Sequence, residues 1–127
     1  MAKVLIVEDS ESELLQLMKM VKALGHDVLA ARSGEEGVSV ATNQQPEVIV
    51  MDVVMPGVNG FQATRQIKHS QATKHIPVIL ASVKSQPVDI AWGQRQGAEN
   101  YLVKPVLVRQ LSEALEAVLA SPGQATA

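Results

Sequence analysis

Residues 3–10 read Lys3-Val4-Leu5-Ile6-Val7-Glu8-Asp9-Ser10, an unbroken apolar run that ends on two acids and a hydroxyl. No polar residue alternates within Val4–Val7, so both faces of this segment ask to be buried. That pattern belongs to a strand in the interior of a parallel sheet covered by helices on both sides. The same reading applies to Glu47–Met51 and Ile76–Ala81, and two shorter runs, Asp27–Ala31 and Asn100–Val103, complete a set of five predicted strands.

Segments with helical spacing lie between the strands. Leu14, Leu15, Leu17, Met18, Val21 and Leu24 mark the first, and Leu107, Leu111, Leu115, Val118 and Leu119 mark the last. Ser10 with Glu13 and Ser33 with Glu36 have the spacing of a capping box, and Asn59 with Gln62 is a weaker form of it. Gly25 and Gly97 are placed to end the first and fourth helices. Strand and helix thus alternate five times, which predicts an α/β protein. The expected fold is flavodoxin-like and doubly wound, a (βα)5 unit with a five-stranded parallel sheet in the order 2-1-3-4-5. The expected domain fills residues 1–120, followed by a short flexible tail over 121–127.

Composition narrows the function classes. The 127 residues carry 11 Lys plus Arg against 13 Asp plus Glu, so a basic surface for nucleic acid is not expected. Phe61, Trp92 and Tyr101 are too few to form a stacking platform for single-stranded nucleic acid. With no cysteine, disulfides, thiolate metal sites and cysteine nucleophiles are absent. The apolar start is too short for a signal peptide and no apolar stretch reaches membrane-spanning length. A cytoplasmic protein without membrane or nucleic-acid partners is therefore expected. His26, His69 and His75 fall near helix ends or loops and read as solvent-facing.

The chemistry lies at the strand ends. Glu8 and Asp9 follow strand 1, Asp52 follows strand 3, Ser82 follows strand 4, and Lys104-Pro105 follow strand 5. Strand 2 ends in Ala31-Arg32 and contributes nothing to this list. In the predicted order the contributing strands are neighbours, so three carboxylates, a hydroxyl and an ammonium converge on one mouth. Each could be a helix cap or a surface residue taken singly; their convergence argues otherwise. Three hard oxygen donors suit Mg²⁺, which keeps several waters and prefers carboxylate and phosphate oxygens. Glu8 and Asp9 are suited to hold the metal. Asp52, alone at the end of the central strand, is placed as a nucleophile toward a phosphoryl group. Lys104 supplies a point charge, and Ser82 can donate to a phosphoryl oxygen. The Lys104–Pro105 step is a candidate cis peptide.

Val4-Leu5-Ile6-Val7-Glu8-Asp9-Ser10, Val50-Met51-Asp52-Val53-Val54-Met55-Pro56-Gly57, Ala81-Ser82 and Tyr101-Leu102-Val103-Lys104-Pro105 together resemble the receiver domain of two-component response regulators, of the CheY-like single-domain type. The resemblance spans about residues 3–120. It implies a phosphorelay switch in which Asp52 accepts a phosphoryl group from the phosphohistidine of a sensor histidine kinase. It further implies Mg²⁺ bound by Glu8, Asp9, Asp52 and the main-chain carbonyl of Val54, with Lys104 contacting the phosphoryl group. Ser82 and Tyr101 are then a coupled switch pair, and helix 4, strand 5 and helix 5 are the surface that changes. Residues 55–66 and 91–98 look most like the twitching-motility receivers of type IV pilus chemosensory systems, with flagellar chemotaxis receivers as near neighbours.

Val54 and Lys84 stand where some fast-cycling relatives carry groups that orient the hydrolytic water, so slow to moderate dephosphorylation is expected. Val83, after the switch serine, is bulky enough to hinder the phosphodonor. Trp92 and Tyr101 are candidate residues of the partner surface, and Trp92 has the chemistry of an interface anchor. The length leaves no room for a DNA-binding output domain, so a separate effector protein is expected, with the chain a monomer or weak dimer. No catalytic turnover is expected beyond the chain's own phosphotransfer and dephosphorylation. Alternatives are a phosphate sink for a shared kinase, or a Mg²⁺-dependent aspartate-nucleophile phosphatase or phosphotransferase. Haloacid-dehalogenase-like enzymes, however, need an acid where Val54 stands. Flavin-nucleotide binding on the same fold would need a phosphate loop where Glu8-Asp9-Ser10-Glu11 would repel phosphate.

Overall fold

The computed structural model describes residues 1–119. The predicted tail over 121–127 lies outside them. Five strands and five helices alternate: β1 (Lys3–Val7), α1 (Glu11–Ala23), β2 (Asp27–Ala31), α2 (Gly34–Gln44), β3 (Val48–Asp52), α3 (Gly60–Lys68), β4 (Val78–Ser82), α4 (Pro87–Arg95), β5 (Asn100–Val103) and α5 (Val108–Leu119). All strand pairs are parallel and the order is β2-β1-β3-β4-β5, the doubly wound arrangement expected from the sequence.

Period-two alternation divides the apolar runs between two cores. Val4 and Ile6 of β1, with Val48, Val50, Ile79 and Ala81, pack against Leu14, Leu17 and Val21 of α1 and Leu111, Leu115 and Val118 of α5. Leu5 and Val7, with Ile49, Met51, Val78 and Leu80, pack on the other face against Ala41 of α2 and Ala63 and Ile67 of α3. This is why β1, β3 and β4 carry no polar alternation.

The boundaries differ from the sequence reading in a few places, each for a local reason. β4 begins at Val78 rather than Ile76. Pro77 has no N–H to give to a ladder, although its carbonyl accepts from Ile49 N–H, and Ile76 N–H closes a turn on Thr73. Leu107 is exposed and precedes α5, and Leu15 faces solvent on α1. Gly25 (φ +93°) and Gly97 (φ +106°) adopt the left-handed conformation that ends a helix, as expected. The Lys104–Pro105 bond is cis.

The capping signals sort differently from their apparent strength. Asn59 and Gln62, the weaker match, form the complete reciprocal box at the start of α3. Ser33 accepts from Glu36 N–H, but the Glu36 carboxylate returns to Arg32 N–H rather than to the cap residue. Ser10 makes no side-chain cap bond: its Oγ lies 3.3 Å from Ser12 Oγ, and the Glu13 carboxylate goes to Lys104 instead of returning to the cap residue. His26 is also not solvent filler: its Nδ1 accepts the Ala2 N–H at 3.0 Å, tying the N-terminus to the turn before β2.

Candidate functional site

Strand register determines which residues meet. Val7 of β1 pairs with both Ala31 and Met51, Asp52 of β3 pairs with Ala81, and Ser82 of β4 pairs with Val103. The carboxyl ends are therefore level, and the next residue of each chain emerges at the same rim. Two main-chain bonds carry the ladder one step further, Glu8 N–H to Ala31 O at 3.0 Å and Lys104 N–H to Ser82 O at 2.8 Å. Ligands of doubly wound sheets bind at this rim.

The carboxylates of Glu8, Asp9 and Asp52 bring oxygens within 4.8 Å of one another. Glu8 is 1% exposed and Asp52 6%, while Asp9 is partly open. Lys104 Nζ lies 2.7 Å from Glu8 Oε1, 2.5 Å from Glu13 Oε1 and 3.3 Å from Asp52 Oδ1. One ammonium thus serves three carboxylates, and Glu8 also accepts from Ser10 N–H at 3.2 Å. The strand ends bring together Glu8, Asp9, Asp52 and Lys104 as the sequence predicted.

Electrostatics follow from this crowding. Burial pushes the Glu8 carboxyl up from 4.5 to about 7; the hydrogen bond from Lys104 opposes the rise, and the Asp52 charge adds to it. Burial likewise raises Asp52, with the Lys104 charge pulling down. For Lys104, burial works against the charged form, but hydrogen bonds to Glu13 and Glu8 outweigh it and hold the ammonium above its ordinary value. Carboxylates this close together, with one cation between them, form a strong anionic pocket. Its donors are all hard oxygens, which fits magnesium and not zinc.

Ser82 is fully buried, and its Oγ accepts Lys84 N–H at 3.1 Å. Tyr101, on β5, donates its hydroxyl to Lys84 O at 2.7 Å and lays its ring against Gly93 of α4. Burial raises the Tyr101 phenol, the Ser82 hydroxyl pulls it down, and the Asp89 and Asp52 charges add to the rise. The β4–α4 loop therefore ties the two residues together through Lys84. Val54 and Val83 are exposed at the rim, and Trp92 is 46% exposed on α4.

Gly60, the first residue of α3, sits against the main chain of Asp52. A Cβ there would fall 2.2 Å from Asp52 O, and Gly60 N–H donates to Val53 O at 2.9 Å. The loop after Asp52 is clamped by this contact and by the Asn59–Gln62 cap.

Two residues escaped the sequence reading. Glu13 looked like half of a capping box; instead it reaches Lys104, a partner 91 positions away. Arg32, at the end of the edge strand that seemed to contribute nothing, lies 3.8 Å from Glu11 and donates to Asp9 O at 3.4 Å. A cleft of about 330 Å³ opens beside Lys104, lined by Glu13, Leu17, Met20, Val83 and Pro105 among others. No helix among the described residues is long and apolar enough to cross a membrane.

Comparison with known proteins gives a consistent match. The response regulator receiver domain matches residues 4–116. Protein PilH of Pseudomonas aeruginosa is 49% identical over 120 residues, covering 94% of this chain and 99% of that protein. The structure of the chemotaxis protein CheY4 of Vibrio cholerae superposes with a TM-score of 0.87 at 31% identity, over 94% of this chain and 99% of that one. The receiver domain of a Pseudomonas aeruginosa sensor histidine kinase, crystallised with a magnesium ion coordinated in its active site cleft, superposes with a TM-score of 0.88. Its identity is 27%, over 94% of this chain and 98% of that one.

Proposed function

Because the chain belongs to the response regulator receiver family of two-component signalling, we propose that Asp52 is its phosphoacceptor and that phosphorylation switches a docking surface for a protein partner. The observation that carries this reading is the ion pair of Lys104 with a buried Asp52, 3.3 Å apart, at the rim where Glu8 and Asp9 also converge.

An Asp52 carboxylate oxygen attacks the phosphorus of a histidine kinase's phosphohistidine. The P–N bond breaks, the imidazole leaves with that electron pair, and an acyl phosphate remains on Asp52. Glu8, Asp9, Asp52 and the Val54 carbonyl would hold a magnesium ion, which would supply neutralisation of the phosphoryl oxygens. Lys104 supplies a second cation and orients the group as a mobile point charge. The doubly charged phosphoryl group then draws the Ser82 hydroxyl toward it. That releases Lys84 N–H and, through the Lys84 carbonyl, the Tyr101 hydroxyl. The output surface is α4, β5 and α5, with Trp92 and Tyr101 as partner-facing residues.

The resemblance to PilH favours a role in type IV pilus twitching motility over flagellar chemotaxis. The protein acts in the cytoplasm as a monomer or weak dimer, without nucleic-acid or membrane partners. It does no turnover chemistry beyond its own phosphotransfer and dephosphorylation.

Incubation with acetyl phosphate and Mg²⁺ tests the reading. One phosphoryl group of added mass is expected, lost in Asp52→Asn. No gain, or a gain that survives that substitution, rejects it.

A further inference from the structure

The Lys104 ammonium is held closer to Glu13 (2.5 Å) and Glu8 (2.7 Å) than to Asp52 (3.3 Å). Glu8 is buried, but the Glu13 side chain is 46% exposed, on the first turns of α1, and lines the cleft beside Lys104. We infer that Glu13 is a positioning residue for phosphotransfer: it draws Lys104 away from Asp52, and the ammonium must let go of Glu13 to meet an incoming phosphoryl group.

Donor count and charge decide which contact of Lys104 yields. An ammonium has three N–H donors, and the two glutamates take the two shortest contacts. A phosphoryl group on Asp52 brings further acceptor oxygens to the side of Lys104 that faces the β3 end. Glu8 is fixed on that side by Ser10 N–H and by its own burial. Glu13 is on the cleft side, where solvent can take over its hydration, so it is the partner that Lys104 gives up. Glu13 therefore competes with the phosphoryl group for Lys104 and lowers the phosphorylated population at a given donor supply. Substitutions at Glu13 would set the sensitivity of the switch without touching Asp52 or the metal ligands.

This role rests on the phosphoacceptor role given to Asp52, and acetyl phosphate separates the two. Asp52 Oδ bonds the phosphorus, the P–O bond to the acetyl group breaks, and acetate leaves with that electron pair. If the wild-type chain gains no phosphoryl mass, the phosphoacceptor reading fails first.

With wild type phosphorylated, the ratio of phosphorylated to unphosphorylated protein is measured by intact mass at a subsaturating acetyl phosphate concentration with Mg²⁺. Three variants are compared. Glu13→Gln removes charge and most of the attraction. Glu13→Asp keeps the charge but retracts it by one methylene. Glu11→Gln removes an equal charge from the same helix end, where the partner is an exposed Arg32 at 3.8 Å. Glu13→Gln and Glu13→Asp are expected to raise the ratio about 2- to 5-fold, the scale of a partly screened ion pair, and Glu11→Gln to leave it as in wild type. The inference is overturned by an unchanged ratio in Glu13→Gln, by a wild-type ratio in Glu13→Asp, or by an equal rise in Glu11→Gln. Thermal midpoints matching wild type identify the shift as one of phosphotransfer, not folding.

Discussion

Glu8 and Asp52 share one ammonium while lying almost wholly out of water: Lys104 Nζ is 2.7 Å from the first and 3.3 Å from the second. Two buried acids against one cation leave an excess of negative charge that burial makes expensive. The folded protein therefore keeps a proton on Glu8 up to about pH 7, whereas an unfolded chain releases it near 4.5. Between those values the native state binds more protons than the unfolded state, so stability falls as pH rises from about 4.5 to about 7. Asp52 is shifted in the same direction and adds to the slope. In chelator, the unfolding free energy is expected to drop across this window, by on the order of 3 kcal/mol from Glu8, and the thermal midpoint to fall with it. Glu8→Gln is expected to flatten most of that slope. A midpoint that climbs from pH 5 to pH 7 in the wild type would contradict the burial argument.

Gly60→Ala tests the clamp behind Asp52. Its Cβ would meet main-chain atoms, Asp52 O at 2.2 Å and Val53 Cα at 2.7 Å, which cannot rotate away. A loss of about 3 kcal/mol in urea unfolding is expected, with phosphorylation by acetyl phosphate slowed in the molecules that remain folded. Stability within a few tenths of a kcal/mol of wild type would show that α3 is free to slide.

How far such features were legible in the sequence depends on their range. Val4–Val7 and Val48–Met51 announce buried strands because both faces are apolar, and five strands alternating with helices fit the doubly wound order that the sheet adopts. Asp52 and Lys104 are legible because each stands directly at a strand end, and Asp9 because it lies two residues beyond one, where register brings neighbours together. Glu13 was not, because its spacing from Ser10 satisfies a local rule. Only the folded position of Lys104, far along the chain, shows that the carboxylate is spent there. Arg32 is illegible for a similar reason, since its partners are Asp9 O in the loop after the neighbouring strand β1 and Glu11 at the start of α1. Short-range spacing can propose a hydrogen bond but cannot show which of two acceptable partners wins.

Gly93→Ala tests how Tyr101 is seated. An added Cβ would lie 2.9 Å from Leu80 Cδ1 and 3.1 Å from Tyr101 Cδ2. Side chains can yield here, so a cost of about 1–2 kcal/mol is expected. The ring is expected to move and the Tyr101 bond to Lys84 O to weaken, altering Trp92 fluorescence without any phosphodonor. An emission spectrum identical to wild type would place the adjustment in Leu80 instead.

Val54 is 51% exposed and apolar, and Lys84 spends its main-chain groups on Ser82 and Tyr101. Val54 has no polar side-chain group, and the Lys84 ammonium has no acceptor for a water proton, so neither side chain can orient water and take its proton for in-line attack on an acyl phosphate. The phosphorylated form is expected to decay over minutes in Mg²⁺ once the donor is removed, and Val54→Asn to shorten that lifetime severalfold. Decay of the wild type within a few seconds, followed by mass, would contradict this.

Gly93 is the one buried residue of α4, so that helix is fastened to the sheet by a residue with no side chain. Val88 and Trp92 on the same helix are exposed and belong to neither apolar cluster. If α4 is the docking surface proposed above, inheritance of the fold and inheritance of a partner are written in different residues. Mutations can rewrite the outward face of α4 at almost no cost in foldability, so duplicated copies of such a gene could drift toward new partners and lose cross-talk while the sheet beneath stays unchanged.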